Sequence, residues 1–165
     1  MLSDKMLQAL NDQIELELNS AYLYLAMAAQ FEDDNLPGFA GWMKAQYQEE
    51  VSHGMRLFDF VADRGGRVTL GPIAKPPVDF GTPVETFKMV LGHEQKVTAS
   101  INNLYKLALA EDDYATQTQL HWFINEQVEE EKTAEDILRQ LEAFGDRPHL
   151  LLMLDGKLGA RQAGG

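Results

Sequence analysis

Four stretches of this chain place apolar residues at the spacing of an amphipathic α-helix, with polar residues between them. At a rise of 1.5 Å per residue, each stretch corresponds to a helix roughly 40 Å long, far beyond the usual helix of a globular protein. Four long helices of similar length predict an antiparallel four-helix bundle in an all-α fold. The predicted helices run from about Ser3 to Phe31, from about Pro37 to Asp63, from about Pro83 to Ala110, and from the turn at 111–113 to Phe144.

The connections predict how these helices are joined. Two of them are short turns, whereas residues 65–82 are rich in proline and glycine and sustain neither helical nor strand periodicity. This long segment is expected to cross the length of the bundle between the second and third helices. After Arg147 and Pro148, the apolar run His149–Leu154 predicts a short fifth helix, and the chain from about residue 159 to Gly165 is expected to form a flexible tail.

Composition fits a single domain that spans residues 1–165. The chain has 45% hydrophobic and 24% charged residues, and its length suffices for one buried core. Its net charge of −12 argues against nucleic acid or an anionic membrane as a partner and favours the attraction of cations. Since the chain lacks a secretion-type start and any apolar run of about 18 residues, a cytoplasmic protein is expected.

Six polar residues interrupt the apolar stripes near the middle of the four helices. Glu17 and Glu94 each lie among apolar residues at helical spacing, so helical geometry directs both side chains towards the core. The second and fourth helices each contribute a pair of polar residues to their apolar stripes. Because each position is near a helix midpoint, all six are expected to meet in one layer: Glu17, Glu50, His53, Glu94, Gln127 and Glu130.

Several carboxylates inside a core require a compensating charge. An isolated ionised carboxylate is costly to bury and otherwise takes up a proton through a raised pKa, whereas one or two bound cations would neutralise the layer. The chain has no cysteine, which excludes thiolate and iron-sulfur sites, so any metal must be held by oxygen and imidazole. One histidine with several carboxylates suits iron or manganese, and iron is the preferred interpretation.

A metal-free interpretation of the same residues stays open at this point. Glu-x-x-His is a weak motif by itself, and acidic residues on helices also form solvated faces or salt bridges between subunits. In that case the chain would be a helical structural or interaction protein whose carboxylates bind no metal.

The spacing of these residues, with Tyr24 two turns after Glu17, resembles that of the bacterial non-haem ferritins. The resemblance extends from Met1 to about Leu158 and implies a ferritin-like bundle with one long crossover and a short C-terminal helix. It also implies a di-iron ferroxidase centre. The first iron would be bound by Glu17, Glu50 and His53, with Glu50 bridging to a second iron bound by Glu94 and Glu130, and with Gln127 as an outer ligand or hydrogen-bond partner.

The resemblance implies further roles around this centre. Tyr24 would be an electron donor during oxygen reduction or a packing residue with a hydrogen-bonded hydroxyl. Trp122 is placed like a tryptophan near the site of the family, although packing is the commoner role of an aromatic residue on a helix. A third iron site would be formed by Glu49, Glu126, Glu129 and Glu130.

Two departures narrow the resemblance to non-haem ferritins. A bacterioferritin would carry a haem-ligating methionine just after the glutamate of the second helix, where this chain has Val51, so no haem is expected. Bacterioferritins also repeat Glu-x-x-His on the last long helix, where this chain has Gln127-x-x-Glu130. With one histidine fewer, the second metal position is expected to bind more weakly.

The function implied by the resemblance is iron storage and detoxification. Fe(II) would be oxidised by dioxygen or hydrogen peroxide and deposited as a ferric mineral inside a homo-oligomeric shell of 24 subunits. The alternative is a soluble rubrerythrin-like di-iron oxidase or peroxidase without mineral storage. Outside the layer, three histidines are expected at the surface or at an interface: His93, His121 and His149. Four aromatic residues are expected either at an interface or in the core: Trp42, Phe58, Tyr105 and Tyr114.

Overall fold

A computed structural model describes residues 1–145 and 147–161. Within these residues the chain forms five helices: α1 (Asp4–Asp33), α2 (Pro37–Asp63), α3 (Pro83–Ala110), α4 (Tyr114–Phe144) and α5 (Pro148–Leu158). The all-α fold with a long crossover and a short C-terminal helix is therefore confirmed. The fifth helix runs four residues beyond the predicted Leu154, because the apolar pattern continues on one face to Leu158, which is buried.

Local sequence signals explain where the long helices begin. The Ser3 side chain accepts a hydrogen bond from the backbone N–H of Met6 at the start of α1. Thr82 and Glu85 form a capping box at the start of α3, which satisfies two backbone N–H groups reciprocally. Asp113 caps α4 by accepting from the backbone N–H of Thr116. These caps fix the positions at which three of the four long helices begin.

The bundle core consists of two apolar clusters. One cluster surrounds Phe31, Phe39 and Phe87, and the other surrounds Leu10, Leu57 and Phe123, among other residues. On each long helix, the polar residues at the midpoint lie between residues of the first cluster and residues of the second. The polar layer therefore separates two apolar regions of the core.

Residues 64–82 cross the bundle and are held by amide side chains of α1. Asn11 accepts a hydrogen bond from the backbone N–H of Thr69, and Asn19 accepts one from that of Ala74. Gln30 accepts a hydrogen bond from the N–H of Phe80 and donates one to the carbonyl of Gly81. Amide groups at intervals along α1 thus replace the sheet or helix partners that this irregular backbone lacks.

The short helix α5 packs against the first turn of α2. Asp155 accepts a hydrogen bond of 2.9 Å from the backbone N–H of Phe39, which satisfies one of the free N–H groups at that helix end. The approach is close, because a Cβ atom at Gly38 would lie only 1.7 Å from the carbonyl oxygen of Asp155. Across the residues that the structure describes, no helix is long and apolar enough to span a bilayer.

Candidate metal centre

All six residues of the predicted layer are buried in the bundle: Glu17, Glu50, His53, Glu94, Gln127 and Glu130. They come from all four long helices, as the helix-midpoint argument requires. The layer holds four carboxyl groups and one imidazole, and no lysine or arginine lies among the buried polar residues of the described ranges. Carboxylate and imidazole groups in this combination could hold a metal cation.

Glu50 on α2 is the group with the least support from the protein. Both of its carboxylate oxygens are buried and have no hydrogen-bond partner among the described residues. Burial raises the pKa of Glu50 well above its usual value, and the negative charge of Glu17 raises it further. Two unpartnered oxygens on one buried carboxyl group are what a carboxylate bridging two cations would present.

Glu17 on α1 is anchored through one oxygen and open at the other. Gln13, one turn earlier, donates a hydrogen bond of 2.7 Å to Oε1, and Ser100 donates one of 2.5 Å to the amide oxygen of Gln13. The other oxygen, Oε2, is buried without a hydrogen-bond partner within residues 1–145 and 147–161. The relay from Ser100 thus orients Glu17 so that one oxygen remains available to a ligand.

Glu94 on α3 receives donors at both oxygens. The Tyr24 hydroxyl donates to Oε1, and the Gln127 amide donates to Oε2 at 3.1 Å. Burial raises the pKa of Glu94 to about 7, although both hydrogen bonds oppose the rise because they favour the ionised form. Glu94 is therefore held in position by two donors, and its carboxyl group ionises near neutral pH.

Glu130 on α4 has an amide donor from a neighbouring helix. Gln46 on α2 donates a hydrogen bond of 2.9 Å from Nε2 to Oε2 of Glu130. Burial raises the pKa of Glu130 to about 8, and the negative charge of Glu94 adds to the rise. In the absence of a bound cation, this carboxyl group is mostly protonated at neutral pH.

Two sets of ligand atoms lie close enough to share a metal ion. One ligand atom from each of Glu17, Glu50 and His53 lies within 4.8 Å of the others. The same distance relates a second set, His53, Glu126 and Glu130. His53 therefore belongs to both sets, with Nδ1 3.7 Å from Glu50 and Nε2 3.9 Å from Glu126.

The residues predicted for a third site have different environments. Glu126 is half-buried next to His53, and Glu129 is exposed. Glu49 accepts a hydrogen bond of 2.6 Å from Arg161. One ligand atom from each of Glu126 and Glu130 lies within 4.8 Å of His53. The negative charge of Glu49 acts on both glutamates, and that of Glu129 acts on Glu126.

The aromatic residues around the layer are packed against it. The Tyr24 ring is fully buried, and burial raises the pKa of its hydroxyl, with a further contribution from the charge of Glu94. Trp122 meets His53 edge to face with ring centres 5.4 Å apart, and the Arg56 guanidinium lies 4.2 Å above the Trp122 ring. Both aromatic residues proposed from the resemblance therefore contact a group of the layer.

The other singled-out aromatic residues and histidines divide between core and surface. Trp42 is buried within the chain, whereas Tyr114 is exposed, and Phe58 and Tyr105 are half-buried. His93, for which the prediction was a surface or interface position, is partly exposed. Its Nε2 shares a hydrogen bond of 2.7 Å with Ser20, and burial lowers its pKa to about 4. His121 and His149 are exposed, as expected.

Four residues near the layer were not predicted from the sequence to lie there: Gln13, Gln46, Ser100 and Arg161. For the two glutamines a signal was present, because each precedes a layer glutamate by four residues and therefore lies on the same helix face. For Ser100 and Arg161 the sequence carries no such signal, since both contacts depend on how separate elements pack.

Comparison with known proteins agrees with the fold. Residues 7–144 match the Ferritin family, described as a ferritin-like domain. The chain is 40% identical over 161 residues to the bacterial non-heme ferritin of Staphylococcus aureus, covering 98% of this chain and 97% of the relative. The corresponding protein of Bacteroides fragilis is 41% identical over 98% of this chain and 100% of its own length.

Solved structures give the same picture. An open pore ferritin from the hyperthermophilic archaeon Archaeoglobus fulgidus superposes with a TM-score of 0.97 at 46% identity, covering 98% of this chain and all of that chain. A closed form of that ferritin, engineered by site-directed mutagenesis, gives the same TM-score and identity.

Proposed function

Because this chain belongs to the ferritin family, we propose that it oxidises Fe(II) at a paired site in the carboxylate layer and stores the ferric product. The observation that carries the proposal is Glu50, whose two buried oxygens have no hydrogen-bond partner among the described residues. A bridging position between two cations would satisfy both oxygens. A merely structural carboxylate in the same place would leave an unrelieved cost of burial.

Each remaining ligand has a defined role in this proposal. One Fe(II) substrate is bound by Glu17, Glu50 and His53, whose ligand atoms lie within 4.8 Å of one another. The second is bound by Glu50, Glu94 and Glu130. Gln127 holds Glu94 through a hydrogen bond from its amide nitrogen, and its amide oxygen is the atom that it would offer to iron as an outer ligand.

The chemistry of the proposed reaction balances with the stated oxidants. Two Fe(II) ions each lose one electron, and the two electrons reduce dioxygen to hydrogen peroxide with two protons, or hydrogen peroxide to two molecules of water with two protons. Since burial holds the pKa of Glu94 at about 7 and that of Glu130 at about 8, iron binding displaces protons from these groups. The carboxylates favour the more highly charged Fe(III), which helps to drive the oxidation.

Tyr24 is the proposed electron donor nearest to the pair. Its hydroxyl donates a hydrogen bond to Glu94, a proposed iron ligand, so loss of an electron from the ring can be coupled to transfer of the phenolic proton to that carboxylate. Trp122, in edge-to-face contact with His53, is a second proposed redox residue. Both residues therefore lie next to a proposed iron ligand, Tyr24 at Glu94 and Trp122 at His53.

Storage requires assembly, because a single bundle encloses no cavity for a mineral. We propose a homo-oligomeric shell of 24 subunits, with the third iron position at Glu49, Glu126, Glu129 and Glu130 serving transfer from the pair to the mineral. The Archaeoglobus fulgidus relative is an open pore ferritin. A cytoplasmic location remains a proposal from the sequence.

The rubrerythrin-like alternative is not favoured, because the family match and the relatives are ferritins. The proposal is tested by titrating metal-free protein with Fe(II) in air while following iron oxidation and particle size together. We expect far more than two irons per chain to remain soluble in particles of constant size. Uptake that stops at two irons per chain would support a di-iron oxidase instead, and no oxidation above the buffer rate would reject both.

A further inference from the structure

The segment after α5 brings an arginine to the edge of the carboxylate layer. Arg161 donates a hydrogen bond of 2.6 Å from Nη2 to Oε2 of Glu49, and the two side chains are only 16% and 13% exposed. The guanidinium carbon of Arg161 lies 4.8 Å from the centre of the Trp42 ring, in a cation–π contact. Two independent contacts therefore fix the positive group at this position.

The packing of α5 explains why Arg161 reaches so far into the bundle. Asp155 caps α2 and draws α5 onto Gly38, where the missing Cβ permits backbone contact. The chain then stays folded past the helix end, because the N–H groups of Gly159 and Arg161 donate to the carbonyls of Asp155 and Leu158. This path carries residue 161 along α2 to Trp42 and Glu49.

The charge of Arg161 acts on the proposed third iron position. Burial raises the pKa of Glu130, and Arg161 opposes that rise, whereas the negative charge of Glu49 adds to it. Burial also raises the pKa of Glu126, and the charge of Glu49 contributes there as well. Glu49, Glu126 and Glu130 thus share one electrostatic environment, and Arg161 is a cation within it.

We propose that Arg161 is a tethered cation that competes with metal for Glu49, so that iron fills the pair at Glu50 before it fills the third position. The proposal rests on the function proposed above. A guanidinium bound to Glu49 must be displaced before a metal ion can use the same oxygen, and its charge repels that ion until it moves. Glu50 imposes no such requirement, because both of its oxygens lack a hydrogen-bond partner in the described part of the chain.

One nitrogen of Arg161 shows that its contacts are incomplete. Nη1 is buried and finds no hydrogen-bond partner within the described ranges, and an unpaired donor of this kind costs free energy. Release of the guanidinium into water would satisfy Nη1, which favours displacement of Arg161 when a metal ion binds Glu49.

The test is anaerobic calorimetry of Fe(II) binding to metal-free, full-length assembled protein. The variants are Arg161→Gln, which removes the charge, and Arg161→Lys, which keeps it. Arg139→Gln is the control, since Arg139 pairs with Glu135 at the exposed surface of α4 and its loss changes the net charge equally. We expect two tight sites per chain in all four proteins and a third site that binds about tenfold or more tightly in Arg161→Gln alone.

Adding Glu49→Gln to Arg161→Gln should abolish the gain, because the third site then lacks its ligand. Identical isotherms for wild type and Arg161→Gln would overturn the inference, as would weaker binding at every site, which would make Arg161 a positioning residue. Absence of two tight sites in the wild type would instead reject the proposed function itself. Circular dichroism and particle size of each variant confirm that the compared proteins are folded and assembled.

Discussion

Gln46 on α2 donates a hydrogen bond of 2.9 Å from Nε2 to Oε2 of Glu130 on α4. Gln46 is fully buried, and this bond fixes one oxygen of a proposed ligand of the second iron. Gln13 performs the same task for Glu17, and Gln127 for Glu94. In the metal-free protein, three of the four carboxyl groups are thus oriented by amide donors, and only Glu50 lacks one.

Gln46→Leu should weaken the second metal position selectively. Loss of the amide donor leaves Glu130 free to rotate, and substitution of groups that orient metal ligands typically lowers affinity about 10- to 100-fold. The first position at Glu17, Glu50 and His53 should change little. Gln48→Leu is the matched control, because Gln48 is exposed on the same helix. Anaerobic calorimetry with Fe(II) distinguishes the two positions, and equal weakening of both would contradict this account.

Tyr24→Phe should weaken iron binding to Glu94 below neutral pH. The Tyr24 hydroxyl lowers the pKa of Glu94 against the effect of burial, so its removal makes the carboxyl group harder to ionise. A hydrogen bond to a charged group contributes roughly 1.5–3 kcal/mol, or about 10- to 150-fold in affinity. The loss should diminish as the pH rises above about 9, where Glu94 is largely ionised in either protein. Tyr22→Phe, at an exposed position two residues earlier, serves as control.

The stability of the metal-free protein should fall as the pH rises from 6.5 to 8. Glu94 and Glu130 have folded-state pKa values of about 7 and about 8, above the unfolded value of 4.5. In this interval the folded state therefore binds more protons than the unfolded state, and stability decreases with pH. The pKa of His93 is lowered from 6.5 to about 4, so this group gives the opposite slope between about pH 4 and pH 7 and offsets only the lower end of the interval.

The expected loss over this interval is roughly 1–2 kcal/mol, measured by chemical denaturation at fixed protein concentration. Glu130→Gln should flatten the upper part of the profile. Bound Zn(II), used as a redox-inert probe, should remove the dependence because the metal keeps the carboxyl groups ionised. A metal-free protein whose stability is constant or increases between pH 6.5 and 8 would show that these groups are not protonated in the fold.

Gly38→Ala should detach α5 from α2. The added Cβ would lie 1.7 Å from the carbonyl oxygen of Asp155, and a backbone atom cannot move aside as a flexible side chain can. Overpacking of this kind costs about 1–3 kcal/mol. Gly41→Ala is the matched control in the same helix, because its Cβ would meet nothing within 4 Å, and it should stabilise α2 by about 0.5–1 kcal/mol.

Thermal unfolding and limited proteolysis within residues 148–158 measure both effects. Release of α5 should also free Glu49 from Arg161, so Gly38→Ala is expected to reproduce the tighter third metal site of Arg161→Gln. An unchanged rate of cleavage in Gly38→Ala would show that the contact of Asp155 with α2 does not hold the helix.

The sequence predicted the parts of the molecule that depend on helical periodicity. The bounds of α2 and α3 agree with the pattern to the residue, because Pro37 and Pro83 begin these helices and Gly65 and the 111–113 turn follow their ends. The six polar residues of the layer were predicted from the same periodicity, because a polar residue at a position of the apolar helix face can be recognised from the sequence alone.

Contacts that depend on how separate elements pack, or on local backbone hydrogen bonds at helix ends, could not be predicted from the sequence. The extension of α1 to Asp33 depends on backbone bonds from Asp34 and Asn35 to the last turn, and nothing in the apolar pattern records them. Arg161 reaches Glu49 across 112 positions, through a packing of α5 that depends on a single glycine. The partial burial of His93 likewise depends on Ser20 in α1, which its own helix pattern does not reveal.

The most direct test of the paired site is a crystal structure of the protein soaked anaerobically with Fe(II), with anomalous scattering recorded at the iron edge. The account predicts two iron peaks about 3.5–4 Å apart, one among Glu17, Glu50 and His53 and the other among Glu50, Glu94 and Glu130. Each peak should lie within bonding distance of a different oxygen of Glu50. A single peak in the layer, or iron only at surface carboxylates, would contradict the central claim.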